Sequence, residues 1–267
     1  MCLKLREILG DPDHTQRQIA DVIIHDPALT TRLLRIVNSP YYGMSRQIAN
    51  IDHAIGILGE QELNNLILVS CIVETMQPIA SAMDITSFWQ SSVFSAVIAC
   101  NLSKHACNGS EDPQEYFIAG LLLNVGQLLI YYREPGLQGK VKRLMAESGQ
   151  SDFEIEKEQL GFDHALVGAL MAESWNFPEA LQQKISRHHD DSIMSDDLAH
   201  AIVFLAGYLA DQLDFSDPAL ESIDELNLEN TTLLEILSMT SSDLTSILNK
   251  SYVEYVQAFH AFCGESS

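Results

Sequence analysis

Positive charge is what this sequence has least of. Lys and Arg number 15 against 37 Asp and Glu, a formal charge of −22 over 267 residues. No Lys or Arg lies between Arg187 and Lys250, a stretch that carries thirteen acidic residues. A surface of that sign repels a phosphate backbone and an anionic lipid face, so neither general nucleic-acid binding nor membrane attachment is expected. Cysteine is sparse too: Cys2, Cys71, Cys100, Cys107 and Cys263 form no C-x-x-C pair. An odd count without that spacing points to free thiols and a cytoplasmic setting. Aromatic residues are 7% and scattered, which excludes an obvious stacking platform for single strands. The start, Met1 to Arg6, lacks the apolar stretch of a signal peptide. No apolar run reaches the ~20 residues that a bilayer span needs, because Asn124 and Gln127 interrupt the longest, Ile118–Tyr132. Missing as well are a phosphate-binding glycine loop, a dinucleotide fingerprint and a nucleophile elbow.

What is present is helical period. Ile118, Leu121, Leu122, Val125, Leu128, Leu129 and Tyr132 fall on one helical stripe. Ile19, Val22 and Ile23, then Leu29, Leu33, Leu34 and Val37, repeat the pattern, and no bounded apolar/polar alternation competes with it. Four prolines follow aspartate, at Asp11-Pro12, Asp26-Pro27, Asp112-Pro113 and Asp217-Pro218, each an N-cap with proline in the first turn. Glu115 stands three residues after Asp112, where a capping box would close. Gly10, Gly59, Gly109 and Gly161 are expected helix stops, and Asn108-Gly109 a helix–helix loop. The chain therefore reads as all-α. Pro78 and small residues near Gln77–Asp84 suggest a hinge. The expected division is an N-terminal helical layer at 1–77, a core at 78–205 and acidic helices at 206–267.

Histidines and carboxylates are the only catalytic stock. His188-His189-Asp190-Asp191 ends a helical pattern that begins near Pro178, His164 opens another after Asp163, and Asp211 lies along a helix from about Asp197. Such side chains can converge on a metal from different helices of a bundle, or can simply pack and hydrogen-bond. A shared ligand set needs the adjacent histidines at a helix end, since helical neighbours point ~100° apart. Trp89 and Trp175 read as core anchors. Asn38 is either a helix C-terminal residue satisfying backbone or a pocket contact. Gly120 and Gly126 suit close helix approach. The acidic run Asp211, Asp214, Asp217, Glu221, Asp224, Glu225, Glu229 is either a solvated face or a docking surface for a basic partner.

Five segments, in order over about residues 5–205, resemble the HDOD domain, the HD-related output domain of bacterial signalling proteins. They are Asp26-Pro27-Ala28-Leu29 through Asn38-Ser39-Pro40-Tyr41-Tyr42-Gly43; Ile51 through Leu58-Gly59; Phe88-Trp89-Gln90-Ser91-Ser92; Ala119-Gly120-Leu121-Leu122-Leu123-Asn124-Val125-Gly126; and His164-Ala165-Leu166-Val167-Gly168 with Trp175-Asn176-Phe177-Pro178 and His188-His189. The resemblance implies an HD-like helical core beneath an N-terminal helical layer. It also implies kinship with HD metal-dependent phosphohydrolases, including those that cleave cyclic di-GMP. Carried over position by position, the metal site is damaged: Ser91 replaces the first His, and Leu123 and Asn124 replace the His-Asp dipeptide. His164, His188 and His189 remain, and Asp211 matches the last Asp. Leucine has no lone pair, and asparagine offers a neutral carbonyl where a carboxylate would neutralise the cation. The expectation is a non-enzymatic regulatory module without resident metal or cofactor, acting through protein contacts, with the acidic face 190–249 as a contact surface. The alternatives are an HD-type phosphohydrolase on cyclic dinucleotides or nucleotides, and a domain that senses a nucleotide without turnover. The sequence leaves the oligomeric state open.

Overall fold

The computed structural model describes residues 8, 11, 13–38, 46–59, 63, 67, 83–192, 197–213, 215 and 231–263. Among them there is no strand. Two compact units emerge, one of residues 1–78 with 254–267, the other of 79–253. The all-α expectation holds, and the physical reason is the uninterrupted 3.6 period.

The first unit contains α1 (Gln16–Ile24), α2 (Pro27–Val37) and α3 (Ile51–Leu58). Thr15 caps α1 in a closed capping box: its Oγ1 accepts from Gln18 N–H at 3.3 Å, and Gln18 Oε1 accepts from Thr15 N–H at 2.7 Å. The Asp26-Pro27 start behaves as read, with Asp26 Oδ1 accepting from Leu29 N–H at 3.1 Å. The buried faces Ile19, Ile23, Leu33, Val37, Ile51 and Ala54 supply this unit's core. Asn38, just past α2, donates from Nδ2 to the carbonyls of Leu34 (2.7 Å) and Ile48 (2.8 Å) and accepts from Ile48 N–H at 2.6 Å. Its role is thus structural, as a clasp between two chain segments ten residues apart rather than within a single local turn. Asn38→Ala removes three hydrogen bonds and leaves backbone groups unpaired, so it is expected to cost about 2–3 kcal/mol, read from the urea midpoint. The remainder of the Asn-Ser-Pro-Tyr-Tyr-Gly segment lies outside the described residues, as do Gly10, Pro12 and the Asp217-Pro218 start.

The second unit holds α4 (Ile85–Ala106), α5 (Pro113–Leu122), α6 (Val125–Arg133), α7 (Leu137–Ser148), α8 (Asp152–Leu160), α9 (His164–Ser174), α10 (Glu179–Ser186), α11 (Leu198–Asp211) and α12 (Thr231–Ile236). The last helix, α13 (Ser241–Cys263), contributes its residues up to Val253 to this unit. α4 is its axis: fourteen of its residues are buried, Trp89 among them, and α5 and α11 pack against it. Trp175 is half-buried, in edge contact with Phe177 at 6.3 Å. The α4–α5 loop turns through Asn108 and Gly109 at positive φ, as the Asn-Gly pair predicts. Cys100 and Cys107 are buried.

Two local expectations are corrected. The apolar run 118–132 is not one helix but two, α5 and α6, broken by a turn at Leu123–Asn124. Both pieces keep their apolar stripe because both are buried, so hydrophobicity alone cannot mark the break. Pro113–Arg133 is long and apolar enough to cross a membrane by composition, yet most of it is packed inside this unit. The second correction is at Asp112, whose carboxylate accepts from Gln114 N–H at 3.0 Å, while Glu115 lies 3.8 Å from the buried Lys184 instead of closing a capping box.

Two glycines set the helix approaches. A Cβ on Gly120 would lie 2.4 Å from the Ser95 carbonyl oxygen, and one on Gly126 would lie 2.1 Å from the carbonyl oxygen of His164. α5 therefore touches α4, and α6 touches α9, backbone to backbone. The second crossing brings the Leu123–Asn124 turn to the start of α9.

Candidate functional site

The site grows from helix ends. Asp163 caps α9 by accepting from Leu166 N–H at 2.9 Å, and Lys157 Nζ pairs with the same carboxylate at 2.9 Å. This puts His164 at the first helical position, where its backbone N–H has no intrahelical acceptor. Glu156, fully buried on α8, supplies one: its Oε2 accepts from His164 N–H at 2.8 Å and from the ring Nδ1 at 2.7 Å. The other oxygen, Oε1, accepts from the Tyr131 hydroxyl at 2.8 Å. All of this is dry.

His188 and His189 lie just beyond the end of α10, at Ser186. Free of helical geometry, the two rings come to 3.9 Å between centroids. His188 Nδ1 donates to the Ile185 carbonyl at 2.6 Å, and its Nε2 has no hydrogen-bond partner among the described residues. His189 stacks on Phe153 at 4.2 Å and meets His164 nitrogen to nitrogen, Nε2 to Nε2, at 2.8 Å. Ligand-type atoms of the three histidines all lie within 4.8 Å of one another. The structure thus assembles the trio that the sequence singled out.

A 2.8 Å contact between two ring nitrogens needs one proton between them. Burial alone would strip it from His164, but the hydrogen bond and charge of Glu156, with Asp152 and Asp211 behind, outweigh burial and hold His164 up, at about 9. Burial and the neighbouring His164 charge push His188 down to about 3, and burial with both neighbours pushes His189 down as well. These opposite shifts favour the charge on His164, with His164 as the donor to His189.

The remaining matched positions fall elsewhere. Ser91, Asn124 and Asp211 line a cavity of about 250 Å³ together with Gln127, Tyr131 and Asp152. Leu123 is fully buried and does not line that cavity; it packs against Gly207 at the same spot as His188. Asp152 and Asp211 both sit above the usual carboxylate range, each first through desolvation and then through a neighbouring carboxylate, and His164 opposes the shift in both. Asp211 still reaches solvent, which screens its repulsion from Asp152. Sequence reasoning missed Glu156, Asp152, Tyr131 and Gln127. Glu156 and Asp152 fall in an ordinary-looking acidic helix, and nothing in its pattern separates a buried glutamate from its exposed neighbours.

The donor set can be tested against an HD-type metal centre. One carboxylate-backed imidazole and a second imidazole with an unpartnered lone pair are features of a metal site. However, two nitrogens on a tetrahedral zinc stand about 3.3 Å apart at ~2.05 Å bond lengths; His164 and His189 are closer and share a proton instead. Leu123 offers no donor, and Asn124 is neutral. The residues present do not fit a two-metal hydrolytic centre.

Comparisons with known proteins agree with the fold. A crystal structure of a protein provisionally named a phosphohydrolase, from Shewanella amazonensis SB2B, superimposes with a TM-score of 0.71 at 24% identity, over 98% of this chain and 92% of that one. An HDOD domain protein of unknown function from Geobacter sulfurreducens gives 0.68 at 24% identity, over 98% and 90%. A protein provisionally named for signal transduction, from Marinobacter aquaeolei VT8, gives 0.69 at 17% identity, covering all of this chain and 58% of that one. An uncharacterised protein of Treponema pallidum (strain Nichols) is 27% identical over 188 residues, 70% of this chain but only 36% of its own length, so the chain spans about a third of that relative. The HDOD domain profile matches residues 1–191, which takes in the Leu123–Asn124 turn and the histidine trio. The chain belongs to the HDOD family.

Proposed function

We propose that this HDOD chain is a non-enzymatic signalling or regulatory module that works in the cytoplasm through protein contacts. The observation that carries the reading is the turn at Leu123–Asn124. Where a hydrolytic relative needs a histidine and a bridging carboxylate, this turn presents an aliphatic side chain and a neutral amide. The raised proton affinity of His164 adds support, because a metal would have to displace that proton before using the ring nitrogen. A structural relative provisionally named for signal transduction is consistent with it. The proposed contact surface is the acidic face 190–249; Asp214, Asp217, Glu221, Asp224, Glu225 and Glu229 lie outside the described residues. With that charge balance the proposed partners are basic protein surfaces, not nucleic acid or membrane.

A second reading, an HD-type phosphohydrolase, is favoured by one observation, the unpartnered Nε2 of His188 within reach of two further imidazoles. Elemental analysis of protein purified without chelator or added metal separates the two. The expected result is well below one transition-metal ion per chain, with no turnover of cyclic di-GMP or nucleotides. A stoichiometric ion with turnover that disappears in His188→Ala would establish the second reading instead.

A further inference from the structure

The cavity beside the histidine trio has a one-sided chemistry. Three of its donor side chains are already engaged: Gln127 Nε2 donates to Asp152 Oδ2 at 2.8 Å, Tyr131 donates to Glu156, and Lys142 pairs with Asp84 at 3.8 Å. Its acceptors are engaged only in part: Asp152 takes Gln127 on one oxygen and the Phe153 N–H, at 2.7 Å, on the other. Asn124 stands at the N-cap of α6, where an asparagine side chain normally accepts a backbone N–H, yet it makes no capping bond. Asn124 is 6% exposed, and its Oδ1 has no hydrogen-bond partner among the described residues. Ser91 Oγ, on α4, is likewise buried and without a partner among them. Asp152 and Asp211 add two carboxyl groups to the same lining. The same lining includes the apolar side chains of Phe88, Val141, Met145 and Leu213.

A buried acceptor left unpaired is costly, and the group that best relieves it is a charged donor. A nucleotide or another anion would bring phosphate against two carboxyl groups. We propose that this cavity binds a small organic cation, a primary amine or guanidinium carried on a short apolar body. The nitrogen would lie among Asn124, Ser91, Asp152 and Asp211, and the body against Phe88, Val141 and Leu213. The module would then respond to an amine where its hydrolytic relatives hold a metal. This rests on the reading that no catalytic metal fills the site.

The test is calorimetric titration of the full chain at physiological salt with hexylamine, and with hexanol and hexanoate as neutral and anionic isosteres. Adenosine monophosphate and Mn²⁺ serve as competing probes. Hexylamine is expected to bind one per chain, at least about tenfold tighter than either isostere, since a charge-assisted hydrogen bond is at stake. Asp211→Asn is expected to weaken hexylamine by about tenfold or more and Asn124→Ala by several-fold, with the circular dichroism and melting temperature of the free protein little changed in Asp211→Asn. Equal binding of hexylamine and hexanol, or amine affinity indifferent to Asp211→Asn, overturns the proposal while leaving the non-enzymatic reading intact. Stoichiometric Mn²⁺ at the same place, displaced by hexylamine, overturns both. Tight nucleotide binding lost in Asn124→Ala overturns the amine in favour of an anion.

Discussion

Glu156→Ala is expected to destabilise the fold by about 3–5 kcal/mol. The carboxylate is fully buried and takes three hydrogen bonds, from His164 N–H, His164 Nδ1 and the Tyr131 hydroxyl. Its removal strands a buried imidazolium and two further donors. Urea unfolding followed by circular dichroism measures the loss; a change below about 1 kcal/mol, the scale of one ordinary hydrogen bond, would show that the network contributes little.

The pH dependence of stability tests the same network. His164 is held above its unfolded value of about 6.5, so its contribution is complete below that pH and is lost as pH rises through about 9. Shifted the opposite way, His188 and His189 contribute above about 6.5, and their contribution falls away as pH drops toward the folded value, about 3 for His188. From these three groups stability should peak near pH 6.5 and decline on both sides. Asp152 and Asp211, both raised, add a loss of stability that begins above the unfolded carboxylate value of about 3.9, because each must ionise in a place that disfavours it; for Asp211 the loss continues up to about 8. Glu156→Gln keeps the shape of the side chain but removes its charge, and the alkaline slope should flatten. A slope unchanged in Glu156→Gln would mean that another group carries it.

Gly126→Ala is expected to destabilise by roughly 3 kcal/mol or more. An alanine methyl there would lie 2.1 Å from the His164 carbonyl oxygen and 2.7 Å from Gly168 N, both backbone atoms that cannot swing aside. The sign is diagnostic, because glycine to alanine in an unobstructed helix stabilises by up to about 1 kcal/mol. Gly139, in α7, is the control: a Cβ there meets nothing within 4 Å, so Gly139→Ala should be neutral or mildly stabilising. Matching urea midpoints for the two variants would show that α6 and α9 are free to part. Since the close crossing also sets Asn124 against the His164 end of α9, Gly126→Ala should weaken any ligand of the neighbouring cavity as well.

The helices themselves were legible in the sequence, because apolar stripes and caps act locally. Asp163 before His164, Asp197 before Leu198 and Asp26-Pro27 each mark a start through hydrogen bonds that reach only two or three residues. The family motifs also singled out His164, His188 and His189, and the requirement that the His pair sit at a helix end is met just past α10. Short-range physics could not show which polar residue is buried. Glu156 and Glu158 differ by two positions on one helix, yet Glu156 is sealed against His164 and Glu158 is exposed and holds Gln150 at 2.7 Å. That choice belongs to the packing of α8 against α9, and the shifts of His164, His188 and His189 follow from it. The same holds for the matched positions. In the sequence Ser91, Leu123 and Asn124 look like three equal losses from one metal site. Tertiary packing separates them, turning Leu123 into the core near His188 and leaving Asn124 and Ser91 facing a cavity with Asp211. Side-chain identity alone establishes that a carboxylate is missing. Where its neutral substitute points, and what remains unpaired around it, depends on helices brought together from more than a hundred residues apart.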